Sequence, residues 1–392
     1  MNKSILSEEI QNFITESLDT SVTMLALQKN KFPIAEWTAI LNQIAAKQKA
    51  KSKLPTWFNT SNIYYPGKIS VEQTSSERTA EYKSKLVSGE KLIDLTGGFG
   101  VDDFYFAQKV NHVTHCEINL ELSEIANYNF EQLKVTNISC LIGDSTKILD
   151  ALQQNFDWIY IDPSRRNDAK GKVFMFEDCL PNVPVSLDFY FGFADNIMIK
   201  TAPILDIFAG LCELKNVKAI HIVAVENEVK ELLWILEKNY YEIIQITTCN
   251  LTKGITEEFA FELGNQTISN YGLPKKFLFE PNAAIMKSGG FDEVTAQFDV
   301  KKLHQHSHLY TSDIVISFPG RAFEIKNAFD YNKQNMKSLL ENKKANITTR
   351  NFPETVEKIR KRWKIKDGGN LYCFFTTDIN NNKIVLLCSK LK

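Results

Sequence analysis

The stretch KLIDLTGGFGVDD, Lys91–Asp103, decides how this chain is read. Its apolar start predicts a buried strand that runs into a glycine-rich turn, and FYFAQKV then continues as a helix. Such a turn lets backbone amides and a helix N-terminus approach a ligand closely. Read as G-x-G-x-x-G, the run supplies Gly98 and Gly100, but Asp103 stands at the third glycine position. An acid there repels a pyrophosphate. S-adenosylmethionine carries an ammonium and a sulfonium but no phosphate, so Asp94, Asp102 or Asp103 can face its amino acid end; a helix cap is the alternative for Asp102 and Asp103.

Outward from this turn, KLIDL, HVTHCE, ISCLI, DWIYID, ADNIMIK and KAIHIVAV are short apolar strands separated by helical stretches such as LSEIANYNFEQL and ILDIFAGLCEL. The alternation predicts a parallel, doubly wound sheet. A helix over EVKELLWILEK and an antiparallel edge hairpin at about 241–264 are expected to close this α/β domain. Ligands of such sheets sit at the carboxyl ends of the strands, and acids recur there. Glu117 ends the second strand, 19 positions after Gly98, where it can accept hydrogen bonds from both ribose hydroxyls of a nicotinamide or S-adenosylmethionine cofactor. Asp144, in GDS after the third strand, can hold an adenine amino group or be a plain loop acid. The fourth strand ends in DPSRR: Asp162 and Pro163 enter the crevice, and Arg165 and Arg166 are donors for phosphate or carboxylate, or partners in structural ion pairs.

Residues 1 to about 54 read as helices through Ile10, Phe13, Ile14 and Leu18, then Ile34, Trp37, Ile40, Leu41 and Ile44, with Pro55 ending them. VEQTSSERTAEYKSKL leads into the α/β domain, its second half helix-like. Residues 270–320 have no clean period and read as a small α+β segment. Beyond Arg321 the order is strand, helix, turn and hairpin, with Asn351 as the expected helix cap, Pro353 in the first turn, and Val356, Ile359 and Trp363 on one face.

Charge separates this last part from the rest. Residues 321–392 hold 16 Lys and Arg against 7 Asp and Glu, a balance of +9, which leaves −10 on the other 320 residues. A basic module on an acidic body suits a catalytic domain with a nucleic-acid-binding appendage, or a lysine-rich solvated surface. Lys358, Arg360, Lys361, Arg362, Lys364 and Lys366 place six cations in nine residues around Trp363, a pattern suited to phosphate contact. His304, His306 and His308 alternate as on one side of a strand, but no cysteine pair lies near to complete a zinc site, and an exposed polar loop is the preferred reading. With 44% hydrophobic and 24% charged residues, disorder and low complexity are excluded. Seven scattered cysteines, the lack of a signal-peptide h-region and the lack of a long apolar run point to a reducing cytoplasm and away from the membrane.

DLTGGFGVD, the acid after the second strand, GDS and DPSRR together resemble the class I S-adenosylmethionine-dependent methyltransferases. KAKSKLPTW, VEQTSSERTAEYKSKL, FEPNAAIMKSG and RNFPETVEKIRKRWKIKDGG extend the resemblance over nearly the whole chain, to bacterial methyltransferases with a ferredoxin-like segment and a C-terminal THUMP-like domain. The resemblance implies a Rossmann-like methyltransferase sheet at 89–266, preceded by a helical region at 1–88 and followed by a ferredoxin-like α+β segment at 267–320 and a basic THUMP-like RNA-binding domain at 321–392. It implies a cytoplasmic enzyme that methylates tRNA or rRNA. Asp94, Thr96, Gly98 and Gly100 match the cofactor loop, with Thr96 where many relatives have a glycine; Glu117 and Asp144 match the ribose and adenine acids. Asp162, Pro163 and Arg165 match the catalytic segment, while Ser164 and Arg165 replace the second proline and the aromatic of amino-methylating relatives. DPSR is also similar to the Asp-Pro-Pro-Arg run of uracil C5 methyltransferases, but KTAP, 200–203, offers no cysteine nucleophile. Arg166, Arg360, Lys361, Arg362 and Lys364 are the expected RNA contacts. A noncatalytic RNA-binding protein with this fold and a nicotinamide-dependent oxidoreductase stand as alternatives.

Overall fold

The computed structural model describes residues 1–165 and 175–391. The chain divides into two compact units, Met1–Lys218 with Leu233–Tyr241, and Ala219–Leu232 with Glu242–Lys392.

In the first unit, α1 (Glu8–Glu16) and α2 (Trp37–Lys53) bury Ile10 and Ile14, and Ile40, Leu41 and Ile44, in one cluster with Trp57 and Tyr65. Pro55 does not end the helical region as expected. It opens a further helix, α3 (Pro55–Asn59), because its missing N–H is not needed at a first helical position. Ser76 caps α4 (Glu77–Ser84) by accepting the Thr79 N–H at 3.3 Å. The α/β elements follow: β1 (Gly89–Asp94), α5 (Val101–Phe106), β2 (Val110–Glu117), α6 (Leu120–Gln132), β3 (Ile138–Ile142), α7 (Ser145–Leu152), β4 (Phe156–Ile161), β5 (Ala194–Thr201) and α8 (Ile207–Glu213). The strands lie in the order β3-β2-β1-β4-β5, all parallel. The order reverses between β1 and β4, so the crevice of a doubly wound sheet opens at their carboxyl ends.

β6 (Val217–Val225) runs from the first unit into the second and β7 (Glu228–Glu237) from the second into the first, and the second unit contains β8 (Gln245–Leu251) and β9 (Thr256–Glu262). β8 runs parallel to β6 and antiparallel to β9, which is the expected edge hairpin. The helix expected over EVKELLWILEK is instead β7. Leu232, Leu233, Trp234, Ile235 and Leu236 are buried one after another, and a short continuous apolar run has no period that separates strand from helix.

A second sheet follows, built from β10 (Phe277–Pro281), β11 (Lys301–Lys302), β12 (Tyr310–Ser312), β13 (Gly320–Asp330), β14 (Asn346–Thr349), β15 (Tyr372–Thr377) and β16 (Lys383–Lys390) in the order β11-β12-β10-β13-β16-β15-β14. Alternate residues of β15 and β16 feed two cores: Cys373, Phe375, Val385 and Leu387 on one face, Phe374, Ile384, Leu386 and Cys388 on the other. The basic helix, α9 (Val356–Trp363), lies on the first of these, with Ile359 and Trp363 inside it. Its cap is Thr355, whose hydroxyl accepts the Lys358 N–H, and not Asn351. Asn351 has φ +50°, so the chain bends there and the helix starts later. His304, His306 and His308 sit in a turn between β11 and β12 rather than along a strand. The His304 ring bonds Asn381 and Asn351, and the His308 ring stacks on Phe291 at 3.6 Å. Among the described residues no group of His, Cys, Asp or Glu is arranged to hold a metal, and no helix is long and apolar enough to cross a membrane. All seven cysteines are free thiols.

Candidate functional site

The turn after β1 is held open by packing beneath it. Gly98 and Gly100 have φ +57° and +77°, a region that favours glycine. A Cβ on Gly100 would meet Phe130 at 2.4 Å, and one on Gly97 would meet the His115 ring at 2.2 Å, whereas a Cβ on Gly98 meets nothing nearer than the Thr96 carbonyl at 3.7 Å. Gly98 is therefore the backbone position open to a ligand. Phe99, buried between the Trp57 and Tyr65 rings at 6.3 Å from each, ties the turn to the N-terminal helical core.

The three acids of the loop have different fates. Asp94 is buried at the end of β1 and accepts the Thr96 N–H at 2.7 Å and the Thr96 hydroxyl at 3.0 Å; burial, and then Asp103, push its carboxyl well above the usual range. Asp103, fully buried, turns inward and meets His115 Nδ1 at 2.6 Å instead of facing the crevice. Burial, then Asp102, raise its carboxyl, and burial holds the His115 imidazole below its usual value. Burial thus favours the neutral form of both partners. Asp102 also lies within the first turn of α5 and is not its cap, which is Gly100. Burial favours its neutral form, but Lys83, Lys200 and hydrogen bonds from Tyr160 and Ser75 outweigh it and hold the carboxyl below the usual range. The contacts are an ion pair with Lys83 at 3.1 Å and hydrogen bonds from the Tyr160 and Ser75 hydroxyls, both 2.8 Å. Lys83 is itself wholly buried and donates to Ser75 at 2.9 Å.

Glu117 reaches back from β2 to the turn. One carboxylate oxygen accepts the Gly98 N–H at 2.9 Å, and the other accepts the Asn119 N–H at 2.7 Å. Asp144 is exposed and caps α7 by accepting the Lys147 N–H at 3.1 Å. At the end of β4, Asp162 donates its backbone N–H to the Thr96 hydroxyl at 2.7 Å, and its carboxylate pairs with Lys200 at the end of β5. Pro163 is buried beside it, and Ser164–Arg165 pairs with Cys179–Leu180 as a two-residue antiparallel ladder. The Arg165 side chain and the whole of Arg166 lie outside the described residues.

Hydrogen bonds therefore join Asp94, Thr96 and Asp162 at the ends of β1 and β4, and Gly98 and Glu117 at the turn and the end of β2; Gly100 lies buried under the turn against Phe130, and Asp144 caps α7. Sequence reasoning missed Lys200, Lys83, Ser75, Tyr160, Gly97 and His115. Lys200 was visible only in KTAP, read for the lack of a cysteine, and Lys83 and Ser75 lie in a stretch taken as a lead-in.

The expected RNA-contacting cations of the second unit differ among themselves. Arg360 is half-buried and bonds Asp367 at 2.5 Å and the Ala345 carbonyl at 3.2 Å, so it braces the loop after α9. Arg362 pairs with Glu354 at 3.1 Å and lies over the Trp363 ring. Lys361 and Lys364 are exposed.

Fold and site together define a doubly wound, Rossmann-like α/β protein whose strand order reverses between β1 and β4, with a second, basic α+β sheet. Residues 277–319 match the model of a ferredoxin-like domain, and residues 320–390 that of a THUMP-like domain. A proposed methyltransferase from Porphyromonas gingivalis W83 superposes with a TM-score of 0.88 and is 31% identical, over 100% of this chain and 99% of that one. The chain belongs to that family, the bacterial class I methyltransferases with a ferredoxin-like segment and a THUMP-like domain. An uncharacterized RNA methyltransferase of Mycoplasma mobile is 36% identical over 77 residues, 20% of this chain; the chain spans about a fifth (21%) of that curated relative's length.

Proposed function

We propose that the protein is a cytoplasmic methyltransferase that transfers the methyl group of S-adenosylmethionine to RNA, tRNA or rRNA, with a catalytic domain over 89–266 and the basic module at 321–392 as the RNA anchor. The observation that carries this reading is the pairing of an open Gly98 backbone with Glu117, whose carboxylate already holds the Gly98 N–H at the end of β2. Glu117 is the acid for the ribose hydroxyls, Asp144 that for the adenine amino group, and Asp94, Thr96, Gly98 and Gly100 form the loop around the amino acid end. Of the loop acids only Asp102 has a carboxyl held below the usual range, so its charge, moderated by Lys83, is the one that favours a cationic donor over a pyrophosphate. When bound, the cofactor supplies a sulfonium methyl. Asp162, Pro163 and Arg165 line the acceptor side, and Arg166, Lys361, Arg362 and Lys364 contact phosphates, while Arg360 braces the loop after α9.

Calorimetry with S-adenosylmethionine, S-adenosylhomocysteine and NAD tests the cofactor, and methyl transfer from labelled S-adenosylmethionine to bulk RNA tests the substrate. Binding of the two sulfur compounds, weakened about 1.5 to 3 kcal/mol by Glu117→Ala, is expected. NAD binding alone overturns the reading in favour of an oxidoreductase. RNA binding without methyl transfer makes the chain a noncatalytic RNA-binding protein.

A further inference from the structure

We propose that Asp162 and Lys200 read the lactam edge of a nucleobase, the adjoining ring N–H and C=O of guanine or uracil, and that the methyl group goes to that ring nitrogen; this rests on the RNA methyltransferase reading. Ile161 and Ile199 are partners in the parallel ladder of β4 and β5, so Asp162 and Lys200 are the next residues in register, both at carboxyl ends that border the crevice. The Lys200 ammonium pairs with the Oδ2 oxygen of Asp162, and its charge also reaches Asp102. Among the described residues none donates to Oδ1, and the Asp162 side chain is 37% exposed. Its main chain is fixed from below, because the Thr96 hydroxyl accepts the Asp162 N–H and is itself held by Asp94. The result is a rigidly placed acceptor with an ammonium beside it.

That pairing selects among acceptors by chemistry. An ammonium at the ring nitrogen of adenine or cytosine withdraws the electrons through which their amino groups react, which opposes amino methylation. On a lactam the same ammonium faces the carbonyl oxygen, where negative charge gathers as the ring nitrogen loses its proton, and stabilises it. In the step, the ring N–H proton passes to Asp162 Oδ1 as general base, and the freed pair on nitrogen forms the N–CH3 bond. The S–CH3 bond breaks with its electrons staying on sulfur, so the sulfonium becomes a neutral thioether. Asp162 is the catalytic residue here, and Lys200 both positions it and faces the carbonyl.

The test is mass spectrometry of nucleosides from RNA of a strain lacking the gene, after incubation with the full-length protein and S-adenosylmethionine bearing a deuterated methyl group. Label in 1-methylguanosine or 3-methyluridine is expected. Label on an amino group, on carbon, on adenine or cytosine, or on a ribose hydroxyl overturns the lactam assignment while leaving the RNA methyltransferase reading intact; label in no RNA overturns both. Lys200→Met should lower kcat about 100-fold or more with KM within a few fold, and Lys200→Arg should recover at least about a tenth of the parent rate. A folded Lys200→Met protein with the parent's kcat overturns the role of Lys200, and should that variant not fold, the identity of the labelled nucleoside decides.

Discussion

The Thr96 hydroxyl accepts the backbone N–H of Asp162 at 2.7 Å while donating to Asp94, and so pins the end of β4 to the end of β1 where the strand order reverses. Thr96→Val keeps the shape and removes both bonds. The Asp162 amide then has no partner in a partly buried place, and the protein should lose about 1 to 3 kcal/mol of stability in urea unfolding. Thr96→Ser should stay close to the parent. Equal midpoints for the Val and Ser proteins would show that the hydroxyl holds nothing.

The glycines of the turn should differ in a set order. Gly97→Ala drives a methyl into the His115 ring, and Gly100→Ala combines a left-handed φ with a clash on Phe130; overpacking of this kind costs about 1 to 3 kcal/mol. Gly98→Ala meets only the strain of its φ, about 1 to 2 kcal/mol. Its methyl points into open space, so its larger effect should be on ligand binding. Thermal unfolding beside calorimetric titration separates the two effects, and a Gly98→Ala protein less stable than Gly97→Ala would contradict the packing seen here.

Asp103 should give stability a pH dependence of definite sign. Its folded-state carboxyl is raised above the unfolded value, so its contribution is full below the ordinary carboxylate range and is lost as pH rises through the folded value. His115 acts oppositely: with a lowered folded value, its contribution is present above the ordinary histidine range and is lost as pH falls below it. Asp103→Asn keeps a donor toward Nδ1 but has no proton to lose, so urea midpoints across a pH series should fall less on the alkaline side while the acid-side loss remains. Asp103→Ala leaves Nδ1 without a donor and should cost about 1 to 3 kcal/mol. An Asn variant that tracks the parent at every pH would place the titration elsewhere.

The cations of α9 should separate into binders and braces. Lys361→Ser with Lys364→Asn changes two exposed side chains, and should lower the slope of RNA affinity against salt by about 0.7 to 0.9 log units per lost contact without moving the melting temperature. Arg360→Ala removes the bonds to Asp367 and Ala345, and should destabilise the second unit by about 1 to 2 kcal/mol. A double-lysine variant with the parent's affinity and slope would make that face merely solvated.

The α/β reading came from KLIDLTGGFGVDD and the strands after it because those signals are local: apolar runs of strand length, glycines where the chain must turn, and acids at strand ends are all set by neighbours in sequence. Tertiary structure decided what local pattern leaves open. EVKELLWILEK is a strand whose run Glu231–Leu236 is buried on both faces, and burial on both faces erases the period that tells strand from helix. Asp102 and Asp103, adjacent in sequence and alike in chemistry, have carboxyls shifted in opposite directions by the surroundings that folding gives them. Lys83, Lys200, Tyr160 and Ser75 hold the Asp102 carboxyl below the usual range, while burial and then Asp102 push that of Asp103 above it. A carboxyl's charge depends on its desolvation and on the partners that folding brings to it, and Lys200 beside Asp162 exists as a pair only because β4 and β5 lie in register.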